Sequence, residues 1–211
     1  MLECRAVKKT VGILALQGDY AAHARVLREL GVRVELIREP RQLAGLDALI
    51  MPGGESTTMS LLLDSTGLRG PLRELLAPSE NGRRGLPVLA TCAGAILLAR
   101  KLKRDDGSVK VQTLELLDAT VERNAYGRQV DSFVATLRID WEALGVPEAD
   151  PAFEGVFIRA PLISRPGAAI VPVCRHDGEL VVVRQGNMLV ATFHPELAGD
   201  ARLHAALLTW C

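Results

Sequence analysis

The segment Leu86-Pro87-Val88-Leu89-Ala90-Thr91-Cys92-Ala93-Gly94-Ala95-Ile96-Leu97-Leu98-Ala99-Arg100 changes hydrophobic period part-way along, and a cysteine sits at the change. Val88 to Thr91 has the length and apolarity of a buried strand, and Ala95 to Arg100 opens as a helix expected to run to about Lys103. The chain must therefore reverse sharply over Cys92-Ala93-Gly94, where small residues satisfy the sterics of such a turn. This places the Cys92 thiol at a strand end, facing the first free N–H groups of a helix, whose partial positive charge favours thiolate. An unperturbed thiol of pKa ~8.5 is a few per cent ionised at neutral pH, so even a modest downward shift raises the reactive fraction greatly. The competing interpretation is a small buried hydrophobe, the common fate of a free cysteine. Partners elsewhere in the chain have to decide between the two.

The chain of 211 residues suits one domain over residues 1–211, long enough to bury a core without disulfides. Lys+Arg and Asp+Glu are both 25, so no broad field favours nucleic acid or an anionic membrane surface. Hydrophobic residues make up 48% of the chain, yet charges, Gly and Pro interrupt them before any run nears the ~18 residues of a spanning helix. Glu3 and Arg5 argue against a secretory signal in Met1 to Thr10. Cys4, Cys92, Cys174 and Cys211 form no C-x-x-C pair, which argues against a zinc site and for a reducing, cytoplasmic setting.

Val11 to Leu16, the helical pattern from Tyr20 to Leu30 ended by Gly31, and Val32 to Ile37 read as a β-α-β unit. Its first strand is apolar throughout, as in a parallel sheet covered on both faces. A third strand over Asp47 to Met51 stops at Pro52-Gly53-Gly54-Glu55-Ser56, with Ser56 or Thr57 placed to cap a helix over Thr58 to Leu63. A helical stretch near Leu68 to Leu76 follows, then a polar loop over Pro78 to Gly85, and a turn at Asp105-Asp106-Gly107. From Leu114 short strands dominate: Asp118 to Arg123, Ser132 to Ile139, Gly155 to Ala160, Ala169 to Arg175, Glu179 to Gln185 and Met188 to His194. His176-Asp177-Gly178 and Gly186-Asn187 are hairpin signals, and a last helix spans about Asp200 to Trp210. The pattern predicts an α/β, doubly wound, mainly parallel sheet flanked by helices, flavodoxin-like, with an antiparallel β extension on the same sheet. Ligands of such sheets bind beyond the carboxyl ends of the parallel strands, where Gln17-Gly18, Gly53-Gly54 and Cys92 all fall.

The last strand runs into His194-Pro195-Glu196. On an extended segment side chains two apart share a face, so Glu196 could fix the His194 tautomer and stabilise its imidazolium. A lone H-x-E is a common surface pattern, and its weight comes from pairing with the elbow. Gly53 and Gly54 would let backbone N–H groups approach a ligand without a Cβ in the way, as an oxyanion hole or substrate cradle requires.

Thr91-Cys92-Ala93-Gly94 together with His194-Pro195-Glu196 resembles the Cys-His-Glu triad of class I glutamine amidotransferases. Longer blocks narrow the resemblance to glutaminase subunits of pyridoxal 5′-phosphate synthase: Leu14 to Gly18, Pro52 to Met59, Val121 to Asn124, Gly127 to Phe133 and Gly155 to Pro161. The similarity covers about residues 11 to 197. It implies that Cys92 attacks the glutamine side-chain amide, that His194 moves the proton, and that Glu196 orients His194. It further implies an oxyanion hole from backbone N–H groups of Ala93 and of Gly53 or Gly54, and a glutamine site built from Gly54, Glu55, Ser56, Arg123, Ile158 and Arg159. A guanidinium fork suits an α-carboxylate, which makes physical sense of the two arginines. No cofactor or metal is implied. The implied partner is a (β/α)₈-barrel synthase subunit that receives the ammonia and whose docking completes the oxyanion hole. A glutaminase serving another synthase, such as one making imidazole glycerol phosphate, fits the Arg123 and Gly127 to Phe133 blocks less well. A redox-sensing binding domain would leave His194 and Glu196 idle.

Overall fold

The computed structural model describes residues 8–79, 82, 84–103, 111–123, 132–146 and 150–211. Cys4, the Asp105-Asp106-Gly107 turn, Asn124 and Gly127 to Asp131, all named above, lie outside the described residues.

The first half alternates as expected. Strand β1 (Thr10–Leu14) leads to helix α1 (Tyr20–Glu29), β2 (Arg33–Ile37), β3 (Ala48–Met51), α2 (Ser56–Ser65), α3 (Arg69–Leu76), β4 (Val88–Thr91) and α4 (Ala93–Leu98). The second half adds β5 (Ala99–Lys103), β6 (Leu117–Glu122), β7 (Ser132–Arg138), β8 (Ala152–Ile158), β9 (Leu162–Ser164), β10 (Val171–His176), β11 (Glu179–Gln185), β12 (Met188–Ala191) and α5 (Arg202–Leu208). The main sheet has the order β2-β1-β3-β4-β12-β11-β9-β6-β5, with β10 also paired to β11. From β2 to β12 every pairing is parallel. Beyond β12 the sheet turns antiparallel through β11, β9 and β6.

The unbroken apolar strands follow from burial on both faces. Leu49, Met51, Val88, Ala90 and Val190 point into one core, under α2, α3 and α4. Their neighbours Ala48, Ile50, Leu89, Leu189 and Ala191 point into the other, with Leu27 of α1 and Leu203 and Leu207 of α5. Alternation along each strand divides one hydrophobic run between two layers.

Four expectations are corrected. The elbow helix stops at Leu98, and Ala99 turns extended to start β5. The final carbonyls of α4 are taken by other amides, Leu114 N–H donating to Leu97 O at 2.7 Å and Leu116 N–H to Leu98 O at 2.9 Å. The charged run after Leu98 therefore becomes a sheet edge, where Arg100 pairs with Asp118 at 2.6 Å and Lys103 with Glu122 at 2.5 Å. Helix α2 is capped by Glu55, whose carboxylate accepts from the backbone N–H of Thr57 at 2.9 Å and of Thr58 at 2.5 Å, so neither Ser56 nor Thr57 is the cap. The β extension is also not all on one sheet, because β7 and β8 pair only with each other. Finally, β12 ends at Ala191, and His194 leads into a 3₁₀ turn at Pro195–Leu197 instead of continuing extended. Pro195 suits the first position of such a turn, where its missing N–H costs nothing.

Candidate active site

Loops after four adjacent parallel strands meet at one end of the sheet. They carry Gln17-Gly18-Asp19 after β1, Gly54-Glu55-Ser56 after β3, Cys92 after β4 and His194 after β12, all lining one cleft of about 290 Å³. The first two loops are tied together: Gln17 Oε1 accepts from Glu55 N–H at 2.7 Å, and Gly53 O accepts from Asp19 N–H at 3.1 Å.

Cys92 sits at the turn with φ 45° and ψ −101°, a positive φ that a non-glycine residue adopts only under constraint. The constraint is tight packing. A Cβ on Gly94 would run into the carbonyl oxygen of Met51, so only glycine lets α4 start this close to β3. The thiol is buried and reaches Ile158 O at 3.9 Å.

The chief partner is His194. Its Nδ1–H donates to Glu196 Oε1 at 2.7 Å, and its ring also hydrogen-bonds the Cys92 sulfur. Burial alone would push the imidazole pKa down, but the hydrogen bonds to Cys92 and Glu196 and their charges raise it to about 10. His194 and Glu196 are 4% and 2% exposed, so these charges act with little screening from water. The 3₁₀ turn thus brings together the two groups that the extended reading paired by a different geometry. A Cβ on Gly53 would clash with the edge of the His194 ring, which explains a glycine directly beside the imidazole. Asp19 Oδ2 also lies 3.5 Å from His194 Nδ1.

The small sheet supplies the other wall. Val156 O of β8 accepts from His194 N–H at 2.9 Å, and Ile158 and Arg159 line the cleft. Phe157 packs against Phe193 with ring centroids 5.2 Å apart, fastening the hairpin to the residue preceding the imidazole. Arg159 bends the chain away with φ 45°. Across the cleft, Arg123 Nη2 donates to Thr57 Oγ1 at 3.2 Å and lies 3.8 Å from Glu55 Oε1. Glu55, Ser56, Gly54, Arg123, Ile158 and Arg159 therefore share one cavity, while Ala93 lies behind Cys92 in the first turn of α4.

A strand-end thiol, a buried imidazole and a buried carboxylate stand in contact in that order, an arrangement whose chemistry suits a nucleophile, a base and an orienting group. The model of the SNO glutamine amidotransferase family matches residues 13–211. The chain belongs to this family. A relative from Deinococcus radiodurans, called pyridoxal 5′-phosphate synthase subunit PdxT, is 47% identical over 200 residues, 94% of this chain and 95% of its own. Its namesake from Dehalococcoides mccartyi is 46% identical over 195 residues, 92% of this chain and 93% of its own. A solved structure described as a glutamine amidotransferase is 42% identical, with a TM-score of 0.81 over 95% of this chain and 97% of that one.

Within this glutamine amidotransferase site, sequence reasoning passes over Asp19, His23 and His204. His23 and His204 are fully buried, and His23 Nε2 lies 3.3 Å from Glu196 Oε2. The one available signal was a histidine on the apolar face of α1, beside Ala24 and Leu27, which most often marks an ordinary core position.

Proposed function

We propose that this chain hydrolyses L-glutamine to L-glutamate and ammonia, as the glutaminase component of a pyridoxal 5′-phosphate synthase. The contact of Cys92 with His194, and of His194 with Glu196, is the observation that carries this reading. The partners Cys92 and Glu196 favour the protonated imidazole, so His194 is placed to take the thiol proton as sulfur attacks. The thiolate attacks the side-chain amide carbon. Donation of the proton from His194 to the departing nitrogen releases ammonia and leaves a γ-glutamyl thioester. Water, activated by the now neutral His194, then hydrolyses it and regenerates the thiol pair. Glu196 keeps the imidazole N–H pointing away from the sulfur throughout.

Backbone N–H groups of Ala93 and of Gly53 or Gly54 are the proposed oxyanion donors, worth ~3 kcal/mol each when preorganised. Arg123 and Arg159 suit the substrate α-carboxylate, and Glu55, Ser56 and Gly54 the remaining polar groups, since all line the same cleft. The proposed partner is a (β/α)₈-barrel synthase subunit that takes the ammonia and completes the oxyanion hole on docking. Support comes from relatives named as synthase subunits that match this chain over nearly its whole length. Residues 1–211 act in this reading as one glutaminase domain in the cytoplasm. No helix among the described residues is long and apolar enough to cross a membrane.

Ammonia release from glutamine, measured with and without the barrel subunit, tests the proposal. Activity should rise strongly on mixing and vanish in Cys92→Ala. Full activity in that variant, or none in the wild-type complex, overturns it.

A further inference from the structure

Behind the triad lies a row of buried polar groups that the reaction as described leaves unused. Glu196 is 2% exposed; Oε1 serves His194, while Oε2 has no well-aligned hydrogen bond. Facing Oε2 at 3.3 Å is Nε2 of His23, which also lies 3.3 Å from Thr91 Oγ1, so a proton on that nitrogen has two oxygens within reach. On its other side His23 Nδ1 meets His204 Nε2 at 2.8 Å, and His204 Nδ1 has no partner. Both rings are 0% exposed.

Only one proton arrangement suits this row. A carboxylate can only accept, so His23 carries its proton on Nε2. Its bare Nδ1 must then accept from His204 Nε2–H, which leaves His204 Nδ1 as a lone pair. The opposite arrangement would aim a lone pair at Glu196 Oε2 and bury an N–H at His204 Nδ1 with nothing to receive it. A buried orphan donor is rarer and costlier than an under-used acceptor. Burial and the neighbouring histidines hold the His23 pKa well below its ordinary value, in keeping with a neutral ring.

We propose that His23 is a positioning residue of the site: its Nε2–H holds Glu196 Oε2 so that Oε1 stays on His194, and His204 fixes the tautomer in which it does so. This rests on the glutaminase reading above. The charged or titratable groups around Glu196 are His194 with Cys92 beyond it, Asp19 near His194 Nδ1, and His23, backed by His204 with Asp200 near it. Removing the His23 donor leaves no N–H beside the inner oxygen of a buried carboxylate, which disfavours its charged form. Glu196 must be ionised to keep imidazolium on His194, so the acid limb of the pH–rate profile moves to higher pH.

Two substitutions separate this from a packing role. Gln places an amide N–H at the reach of Nε2, whereas Asn places one only at the reach of Nδ1. With the barrel subunit present, His23→Asn should lower kcat for glutamine by ~10- to 100-fold with KM little changed, the size expected when a buried acceptor loses its donor. Its acid limb should move up by about one pH unit, and the pH dependence of Cys92 alkylation by iodoacetamide should move with it. His23→Gln should restore most of kcat and the wild-type limb. Equal losses in both variants at every pH, or wild-type rates in His23→Asn, overturn the proposal. Should His23→Asn not fold, His204→Leu is read the same way: an upward acid limb supports the proposal and an unmoved one overturns it. If wild-type complex releases no ammonia, the glutaminase reading fails and this one with it; if it does and the limb does not move, this one fails alone.

Discussion

Cys92 occupies a backbone conformation that side chains avoid, with φ 45°, and it does so to set sulfur against His194. Strain of this kind costs ~1–3 kcal/mol and persists where surrounding structure enforces it, here Gly94 against the Met51 carbonyl. Glycine meets no Cβ penalty at positive φ, so Cys92→Gly should be more stable than Cys92→Ala by about 1 kcal/mol in urea unfolding, with both inactive. Behind the imidazole, Gly53→Ala would drive a methyl into the His194 ring. A displacement of about 1 Å in a catalytic group can cost ~100-fold, and kcat/KM for glutamine should fall by that order.

At the level of elements, helix α2 begins on a charged cap. Burial would raise the Glu55 pKa, but the N–H groups of Thr57 and Thr58 hold it at about 2. A carboxyl whose folded value lies below its unfolded one contributes stability that is complete above the unfolded value, 4.5, and lost as pH falls toward 2. The side chain is 45% exposed, so solvent screens much of this effect. Glu55→Ala should therefore cost ~0.5–2 kcal/mol at pH 7, typical of losing a cap, and the gap to wild type should narrow as pH is lowered from 4.5 to 2 in urea titrations. The same residue lines the cleft, so its KM for glutamine should rise as well. The capping role was not legible in Pro52-Gly53-Gly54-Glu55-Ser56, because by type Ser56 and Thr57 are better caps than a glutamate. Which of the three caps depends on where the turn after β3 releases the chain, and the bond from Glu55 N–H to Gln17 Oε1 settles that.

The whole molecule is a parallel half that presents Cys92 and His194, and a small second sheet that closes the cleft over them. Phe157, fully buried against Phe193, joins the two. Phe157→Ala should destabilise by ~3–5 kcal/mol in urea unfolding and raise KM more than it lowers kcat, because Ile158 and Arg159 lose their anchor while the triad keeps its own contacts. Local rules set much of this architecture in advance: unbroken apolar strands demand two covered faces, and strand ends joined to helices by Gly-rich turns put Gly18, Gly53 and Cys92 on one rim. The residues around Cys92, His194 and Glu196 carry a family resemblance that suggests a nucleophile, a base and an orienting group. Contacts between segments far apart in sequence decided the rest. The run after Leu98 is a strand because Leu114 and Leu116 amides take the last helical carbonyls, and β7 with β8 leaves the main sheet to pack on Phe193. His194 and Glu196 meet through a 3₁₀ turn, and His23 faces Glu196 with His204 behind it only because α1 and α5 cover the same layer of the sheet. Periodicity and turn chemistry act within a few residues, whereas these pairings join groups up to 181 residues apart, which only the folded chain brings together.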